Sequence, residues 1–161
     1  GRLGDPRAVS PLIAALEGTA ARADTLIALG QVGSTEAVDP ILGVVDDEAP
    51  LVRLHAFLAL GRIGDERGLD AVLAGLEDPV DYVRAAAAEA IGELGSERAV
   101  APLATALDDE SRRVRVAALF ALTWIPSEDV VPHLSKALDD EDWEIRIYAA
   151  EALEKRGHAT R

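Results

Sequence analysis

The sequence predicts an all-α fold, a right-handed solenoid of about five stacked helical hairpins. The first observation is an internal repeat, because one arginine recurs every 31 residues along the 161-residue chain. The second is that each unit closes on a glycine or a proline at a fixed distance from that arginine. The third is that apolar residues between these markers follow helical spacing. The arginines are Arg22, Arg53, Arg84, Arg115 and Arg146, and the closing residues are Gly33, Gly64, Gly95, Pro126 and Gly157.

The unit spanning 64–95 shows how each element is predicted. Asp65 is a suitable N-cap for a first helix, and Glu77-Asp78-Pro79 interrupts that helix. In this turn the aspartate is expected to cap a second helix and the proline to lie in its first turn. Gly95 is expected to end the second helix in the left-handed conformation. The apolar positions are Leu69, Val72, Leu73 and Leu76 in the first helix and Val83, Ala87, Ala90, Ile91 and Leu94 in the second.

The units are predicted to form a single domain over residues 1–161, with repeats at about 4–33, 33–64, 64–95, 95–126 and 126–157. Gly1-Arg2-Leu3-Gly4 resembles the end of the second unit, Gly61-Arg62-Ile63-Gly64, so we expect the chain to be the C-terminal part of a longer array. The last unit carries Glu154 and Arg156 at inward slots where other units have small or apolar residues. Polar residues there are typical of a capping repeat.

An aspartate lies six residues before the arginine in four of the units. Helical geometry places this arginine between core positions, so its aliphatic part can be buried while its guanidinium reaches an aspartate of its own or an adjacent repeat. Such charge-assisted pairs predict a structural ladder along the stack, and a row of arginines that binds anions is the alternative. The ladder consists of Asp47, Asp78, Asp109 and Asp140 with Arg53, Arg84, Arg115 and Arg146.

One repeating block extends, with small changes, over nearly the whole chain. Its parts are carried by Gly64-Asp65-Glu66-Arg67, Ala99-Val100-Ala101-Pro102-Leu103, Val83-Arg84 and Ala59-Leu60-Gly61-Arg62-Ile63-Gly64. This pattern resembles the HEAT-like repeats of the phycobilisome-lyase type. The resemblance implies a HEAT-like fold in which the second helix of each repeat lines the concave face. It does not imply one function, because relatives of this type include chromophore lyases, degradation factors and plain scaffolds.

The composition excludes several classes of function. The net charge is −13, so the protein would repel the phosphates of a nucleic acid. The chain has no cysteine, which excludes disulfides and thiolate metal sites, and it has no apolar run long enough to span a membrane. Hydrophobic residues make up 49% of the chain, which is ample for a folded domain, and we expect a cytoplasmic location.

Large apolar and aromatic residues occur on the second helices at positions that point away from the predicted core. On the concave wall of a solenoid they predict a surface that binds a protein or a peptide, with nearby charges setting the orientation of that partner. Two alternatives are that the rings fold back into the core and that the patch joins two copies in a homo-oligomer. The candidate partner-binding residues are Leu54, Leu58, Tyr82, Arg112, Arg113, Phe120, Trp124, Trp143, Ile147 and Tyr148.

No set of residues predicts catalysis, and neither a cofactor nor a metal is expected. Acidic turns such as Asp46-Asp47-Glu48 lack the residue order of a calcium loop and occupy helix-cap slots, which favours capping as their role. The sequence therefore predicts a non-enzymatic interaction scaffold. The alternative, from the resemblance alone, is a tetrapyrrole lyase or lyase subunit. In that case the rings would stack on the tetrapyrrole, and Arg112 and Arg113 would meet its propionates.

Overall fold

The computed structural model describes residues 6–18 and 21–158 of the chain. Within these ranges every regular element is a helix, and ten α-helices follow one another as five pairs. The predicted all-α solenoid is therefore confirmed. The predicted continuation of an upstream helix through Gly1-Arg2-Leu3-Gly4 lies outside the described residues.

Each pair consists of a short first helix and a longer second helix. The first helices are Val9–Leu16 (α1), Val38–Leu42 (α3), Leu69–Ala74 (α5), Val100–Ala106 (α7) and Val131–Lys136 (α9). The second helices are Arg22–Val32 (α2), Pro50–Ile63 (α4), Asp81–Leu94 (α6), Arg112–Trp124 (α8) and Trp143–Lys155 (α10). A short 3-10 turn precedes each first helix, for example Glu66–Gly68 before α5.

The ends of the helices follow from local side-chain chemistry. The Asp65 side chain accepts a hydrogen bond from the Arg67 N–H at 3.0 Å, and this bond starts the third repeat. The second helices of the first three repeats end on Gly33, Gly64 and Gly95, whose φ angles lie between 64° and 71°. Because a side chain is strained at such left-handed φ angles, glycine is the residue that lets the chain turn into the next repeat.

The turn between the two helices of a repeat differs from the prediction. Asp78 does not cap α6, because the helix begins at Asp81 after Val80, and Pro79 lies outside it. Asp78 Oδ1 instead accepts a hydrogen bond from the Val80 N–H at 2.9 Å, and its Oδ2 accepts one from Arg53 Nε at 2.6 Å. The carboxylate is turned towards the arginine of the preceding repeat and is not available as a helix cap.

The second helices stack parallel and in register. A Cβ added to Gly61 in α4 would lie 2.7 Å from Ala90 Cα in α6, and one added to Gly92 in α6 would lie 2.9 Å from Ala121 Cα in α8. Glycine and alanine thus meet at the same level in successive helix pairs, which brings the helix axes close together. The core between the first and second helices is built from fully buried aliphatic side chains such as Leu119.

The arginine at the start of a second helix binds the aspartate of the following repeat. Arg84 Nε and Nη2 donate to the two carboxylate oxygens of Asp109 at 2.8 and 2.9 Å, and Nη1 donates to the carbonyl oxygen of Asp78 at 2.9 Å. One guanidinium therefore joins the turn of its own repeat to the turn of the next. The other pairs between repeats are Arg22–Asp47, Arg53–Asp78 and Arg115–Asp140.

The environment of Arg146 differs from that of the other arginines of the ladder. Its Nη1 donates to the carbonyl oxygens of Asp140 and Glu141 at 2.8 and 3.0 Å, as its counterparts do in their own turns. No carboxylate within residues 6–18 and 21–158 forms a salt bridge with it. Within the described residues Arg146 thus keeps the bonds to its own turn and lacks the bond to a following aspartate that Arg84 makes.

The ladder should make the stability of the protein sensitive to acid. Burial raises the pKa of Asp78 and Asp109, but hydrogen bonds from Arg53 or Arg84 and from a backbone N–H outweigh it, so both pKa values lie below the ordinary value of 3.8. A carboxylate with a lowered pKa contributes its stability above the unfolded-state pKa and loses it as the pH falls through the folded-state pKa. We therefore expect urea denaturation to show a constant contribution from these groups down to about pH 5 and a steep loss below about pH 4.

Protonation of other acidic groups also relieves repulsion in this chain of net charge −13, so the test compares variants. Asp109→Asn removes one titrating member of the ladder and should be less stable than wild type at pH 7. The difference between the two proteins should shrink below pH 4. A difference that stays constant from pH 7 to pH 3 would contradict the assignment.

Candidate functional site

A groove of about 530 Å³ crosses the faces of α4, α6 and α8. Its floor is made of small side chains, mainly Ala85 and Ala86 of α6. At the slot of Ala85, α4 carries Leu54 and α8 carries Val116. The two sides and the ends of the groove are lined by larger groups. These are Leu54 and Leu58 from α4, Tyr82 and Glu89 from α6, and Arg113, Val116, Phe120 and Trp124 from α8.

Two aromatic rings on α8 dominate one side of the groove. Phe120 is 41% exposed and Trp124 is 55% exposed, although both rings rest on neighbouring helices. The Phe120 ring lies 5.0 Å from the Tyr148 ring of α10, centre to centre, at an angle of 48°. The Trp124 ring lies over Gly92 of α6, where an added Cβ would be 3.1 Å from its Cε3 atom. These contacts hold the rings in place while one face of each remains accessible.

A second cavity, of about 580 Å³, lies behind the same two rings, between α8 and α10. Thr123 stands in α8 where α4 and α6 have glycine, and α8 packs less closely on α10 than on α6. Phe120 and Trp124 therefore separate two cavities, and Tyr148 lines the second one. The exposed apolar surface is continuous from α4 to α10.

Arg156 also lines this second cavity, and it does not present a polar cap to solvent. Its guanidinium donates hydrogen bonds to the carbonyl oxygens of Thr123, Ile125 and Ser127 at 3.2, 2.7 and 3.1 Å. These carbonyl groups lie at the end of α8, where Pro126 replaces the glycine that ends the other second helices. The Arg156 side chain points into the stack of repeats. It supplies hydrogen-bond donors to the carbonyl groups at the end of α8, where no glycine closes the helix.

Three of the candidate residues predicted from the sequence lie outside the two cavities. Arg112 forms ion pairs with Asp142 and Glu144 of the next repeat, so its charge is already neutralised. Trp143 and Ile147 are 60% and 45% exposed on α10, but neither lines the groove. The remaining residues of the predicted set are brought together: Leu54, Leu58, Tyr82, Arg113, Phe120 and Trp124 at the groove, and Tyr148 behind it.

The charges around the groove are unevenly distributed. Glu89 lines it, and the carboxylate of Glu93, one helical turn further on, lies over Gly61, where an added Cβ would be 2.7 Å from its Oε2 atom. Glu93 is exposed overall, but burial of this carboxylate and the charge of Glu89 raise its pKa, against the opposing effect of Arg62. Two neighbouring carboxylates thus lie near one end of the groove, and Arg113 lies near the other.

The sequence of the chain matches a known family. Residues 17–92 and 69–154 match HEAT repeats, and residues 1–18 match the PBS lyase HEAT-like repeat. The chain belongs to the HEAT-repeat family. None of the curated proteins compared with this HEAT-repeat chain matches it in sequence.

Solved structures of other helical solenoids are similar to this HEAT-repeat protein. The complex of CpcE and CpcF of phycocyanin lyase from Nostoc sp. PCC7120 contains a chain that is 25% identical, with a TM-score of 0.76 over 92% of this chain and 99% of that one. A designed armadillo repeat protein in complex with the peptide (KR)4 is 22% identical, with a TM-score of 0.73 over 92% and 81%. Human deoxyhypusine hydroxylase in complex with glycerol is 27% identical, with a TM-score of 0.53 over 96% and 64%.

Among residues 6–18 and 21–158, no three histidine, aspartate or glutamate side chains come close enough together to hold a metal ion. The acidic turns contribute their carboxylates to the ladder and to turn N–H groups, as Asp47 does with Arg22 and the Ala49 N–H. In the same part of the chain, no helix is both long and apolar enough to cross a membrane.

Proposed function

We propose that this HEAT-repeat chain is a non-enzymatic scaffold that binds a segment of a partner protein in the groove across α4, α6 and α8. The observation that carries the proposal is the accessible apolar surface formed by Leu58, Phe120 and Trp124 above the alanine floor of α6. Partly exposed aromatic rings that are held by packing lose little conformational entropy on binding, and such residues dominate the binding energy of many interfaces.

The shape of the groove supports the same proposal. Ala85 and Ala86 leave room for a bulky side chain, and the larger residues of α4 and α8 would enclose it on both sides. The close packing of glycine on alanine between the second helices keeps the two sides at a fixed distance, so little reorganisation is needed on binding. The designed armadillo repeat protein, a solenoid with the same fold, holds the peptide (KR)4.

A second candidate function is a role as a tetrapyrrole lyase subunit. The similarity to a chain of the CpcE–CpcF complex favours it, because that similarity extends over 99% of the other chain. Of the two arginines predicted to meet the propionates, only Arg113 is free for such a role, since Arg112 is paired with Asp142 and Glu144. Adding biliverdin, a linear tetrapyrrole, separates the two functions: a change in visible absorbance that needs Phe120 and Trp124 would favour the second candidate.

The proposed function is tested with a displayed library of random 12-residue peptides. We expect selection on the wild type to enrich peptides whose affinity for the double variant Phe120→Ala/Trp124→Ala is lower by a factor of about 30 or more. Truncating such aromatic anchors costs at least about 2 kcal/mol of binding free energy. Circular dichroism should show unchanged helicity in the variant, since neither ring is buried.

Trp143→Ala is the matched control, because Trp143 is the other exposed tryptophan and lies outside the groove. It should leave peptide binding unchanged. Sedimentation of the free protein tests whether the groove instead joins two copies. Selected peptides that bind wild type and the double variant equally would contradict the proposal, as would a dimer that the double variant dissociates.

A further inference from the structure

We propose that the segment bound in the groove is cationic: it places an apolar side chain over Ala85, between Leu54 and Val116, and a lysine or arginine beside Glu89 and Glu93. This inference rests on the proposed function and names the chemistry of the partner. Its basis is the distribution of charge along the groove, which has one negative end and one positive end.

The direction of the second helices gives the groove this polarity. Gly61 of α4 meets Ala90 of α6, and Gly92 of α6 meets Ala121 of α8, so the three helices run parallel and in register. Their C-terminal ends therefore lie along one edge of the groove and their N-terminal ends along the other. The backbone dipoles contribute partial negative charge to the first edge and partial positive charge to the second.

The two carboxylates lie towards the negative edge. Glu89 lines the groove and Glu93 follows one turn later on α6. In the described part of the chain neither forms a salt bridge, whereas Asp39 and Asp70 pair with arginines of the following repeat. Burial and the charge of Glu89 raise the pKa of Glu93, and Arg62 only partly offsets this effect. A cation placed between the two carboxylates would relieve their repulsion.

At the N-terminal edge of the groove, Arg113 disfavours a cation. It lines the groove, is exposed, and forms no salt bridge within residues 6–18 and 21–158. Asp81 lies near enough to Arg113 to offset part of its charge. The charge of Arg113 itself still repels a basic residue of the partner from that edge, which favours one direction of the bound segment. Arg113 therefore contributes to orientation, and Glu89 and Glu93 contribute to the choice of partner.

The charge of the whole protein agrees with a cationic partner. At a net charge of −13 the chain attracts positively charged segments over distances of about a Debye length and repels a second copy of itself. A nucleic acid is disfavoured for the same reason, because its phosphates carry the same sign. A basic protein segment that carries an apolar side chain fits both the apolar lining of the groove and the negative electrostatic field of the protein.

The test starts from the groove-dependent peptides selected above and measures their affinity through Trp124. In a Trp143→Phe background Trp124 is the single tryptophan, so its fluorescence reports on the groove. We expect the selected peptides to contain lysine or arginine next to a bulky apolar residue. Replacing the basic residues by glutamine should weaken binding about tenfold, which corresponds to roughly one ion pair of 1.4 kcal/mol, and replacing them by glutamate should weaken it further.

Two variants of the protein show which of its residues cause the preference for basic peptides. Glu89→Gln/Glu93→Gln should reduce the preference for the basic peptide over its glutamine version to less than about twofold and leave the glutamine version unaffected. Arg113→Gln should leave binding of the basic peptide unchanged or make it tighter. In 1 M salt, where the Debye length is about 3 Å, the preference should shrink in the wild type.

The possible failures are distinguishable. Groove-dependent peptides that lack basic residues, or that bind equally well after their basic residues become glutamine, would overturn this inference and leave the proposed function intact. A preference for acidic peptides that depends on Arg113 would overturn it too. If no selected peptide depends on Phe120 and Trp124, the proposed function itself fails.

Discussion

Replacing Arg115 by alanine is expected to lower the free energy of unfolding by about 3–5 kcal/mol, the largest loss that we expect from any single member of the ladder. Arg115 has the least exposed side chain of the paired arginines, at 8%, and its partner Asp140 is 10% exposed. The substitution removes the pair and leaves a nearly buried carboxylate without its counter-charge. A charge in that position costs far more than the net gain from an exposed pair.

The backbone adds to this loss. Arg115 Nη1 donates to the carbonyl oxygens of Asp109 and Glu110 at 3.1 and 3.3 Å. In addition, Nη2 donates to the side-chain carboxylate of Glu141 at 2.9 Å. Without the guanidinium, these acceptors of two adjacent turns lose a shared donor. We therefore expect the fourth and fifth repeats to come apart more easily. Urea denaturation followed by circular dichroism measures the loss, with hydrogen exchange showing whether it is concentrated at α8 and α10.

Arg146→Ala is the matched control. It removes the same bonds to two carbonyl oxygens, but no carboxylate of the described residues loses its partner. We expect a loss of about 1–2 kcal/mol, the ordinary net value of such hydrogen bonds. Equal losses in the two variants would show that the carbonyl bonds alone account for the effect of the arginines, and that the pairing with aspartate adds nothing.

The sequence was sufficient to predict the register of this ladder but not its direction. The spacing of six residues between Asp78 and Arg84 suggests a contact within one turn, and the prediction left open whether the partner was in the same or an adjacent repeat. In the structure Arg84 donates only to the carbonyl oxygen of Asp78 in its own turn. The carboxylate that it binds belongs to Asp109 in the next repeat. Stacking distance decides between the two, and a single repeat contains no information about stacking distance.

The candidate site was predicted in the same partial way. The sequence predicts Phe120 and Trp124 as binding residues because they lie on the helix face away from the core, where polar or small residues are expected, and the structure places both at the groove. Trp143 is predicted on the same grounds, but it is the first residue of α10 and lines neither the groove nor the second cavity. The four helices α4, α6, α8 and α10 all begin three residues before their arginine, so the direction of a residue at the helix start is fixed by the repeat. Trp143 lies outside the groove because the groove is lined by α4, α6 and α8, and Trp143 is on α10.

The floor of the groove was missed for a different reason. Ala85 and Ala86 are not among the residues that the sequence predicts to line the binding surface. The structure shows that they leave space between the larger residues of α4 and α8. The signal is present for Ala85, because a small residue between Leu54 and Val116 at the same slot predicts a depression in the surface. It becomes visible only when three repeats are compared side by side.

Gly61→Ala is expected to destabilise the protein by about 1–3 kcal/mol, the usual cost of overfilling a packed interior. Helix propensity alone predicts the opposite sign, because alanine in a helix interior is more favourable than glycine by about 1 kcal/mol. Gly61 is buried in α4, and an added Cβ would lie 2.7 Å from Ala90 Cα and 2.9 Å from Ala90 Cβ. Carbon atoms normally approach to about 3.5–4.0 Å, and a backbone atom cannot rotate out of the way.

The two helices must therefore move apart for the new methyl group to fit, and Glu93, whose Oε2 atom lies 2.7 Å from the same position, must move as well. Gly43→Ala is the control, because Gly43 is exposed at the end of α3 with φ −69°. We expect it to change stability by less than about 0.5 kcal/mol. If Gly61→Ala proves as stable as wild type in urea, the close approach of α4 and α6 does not hold the groove at a fixed width. If the variant is destabilised, its peptide affinity should fall too, because the floor of the groove and the carboxylate at its negative end are displaced by the same methyl group.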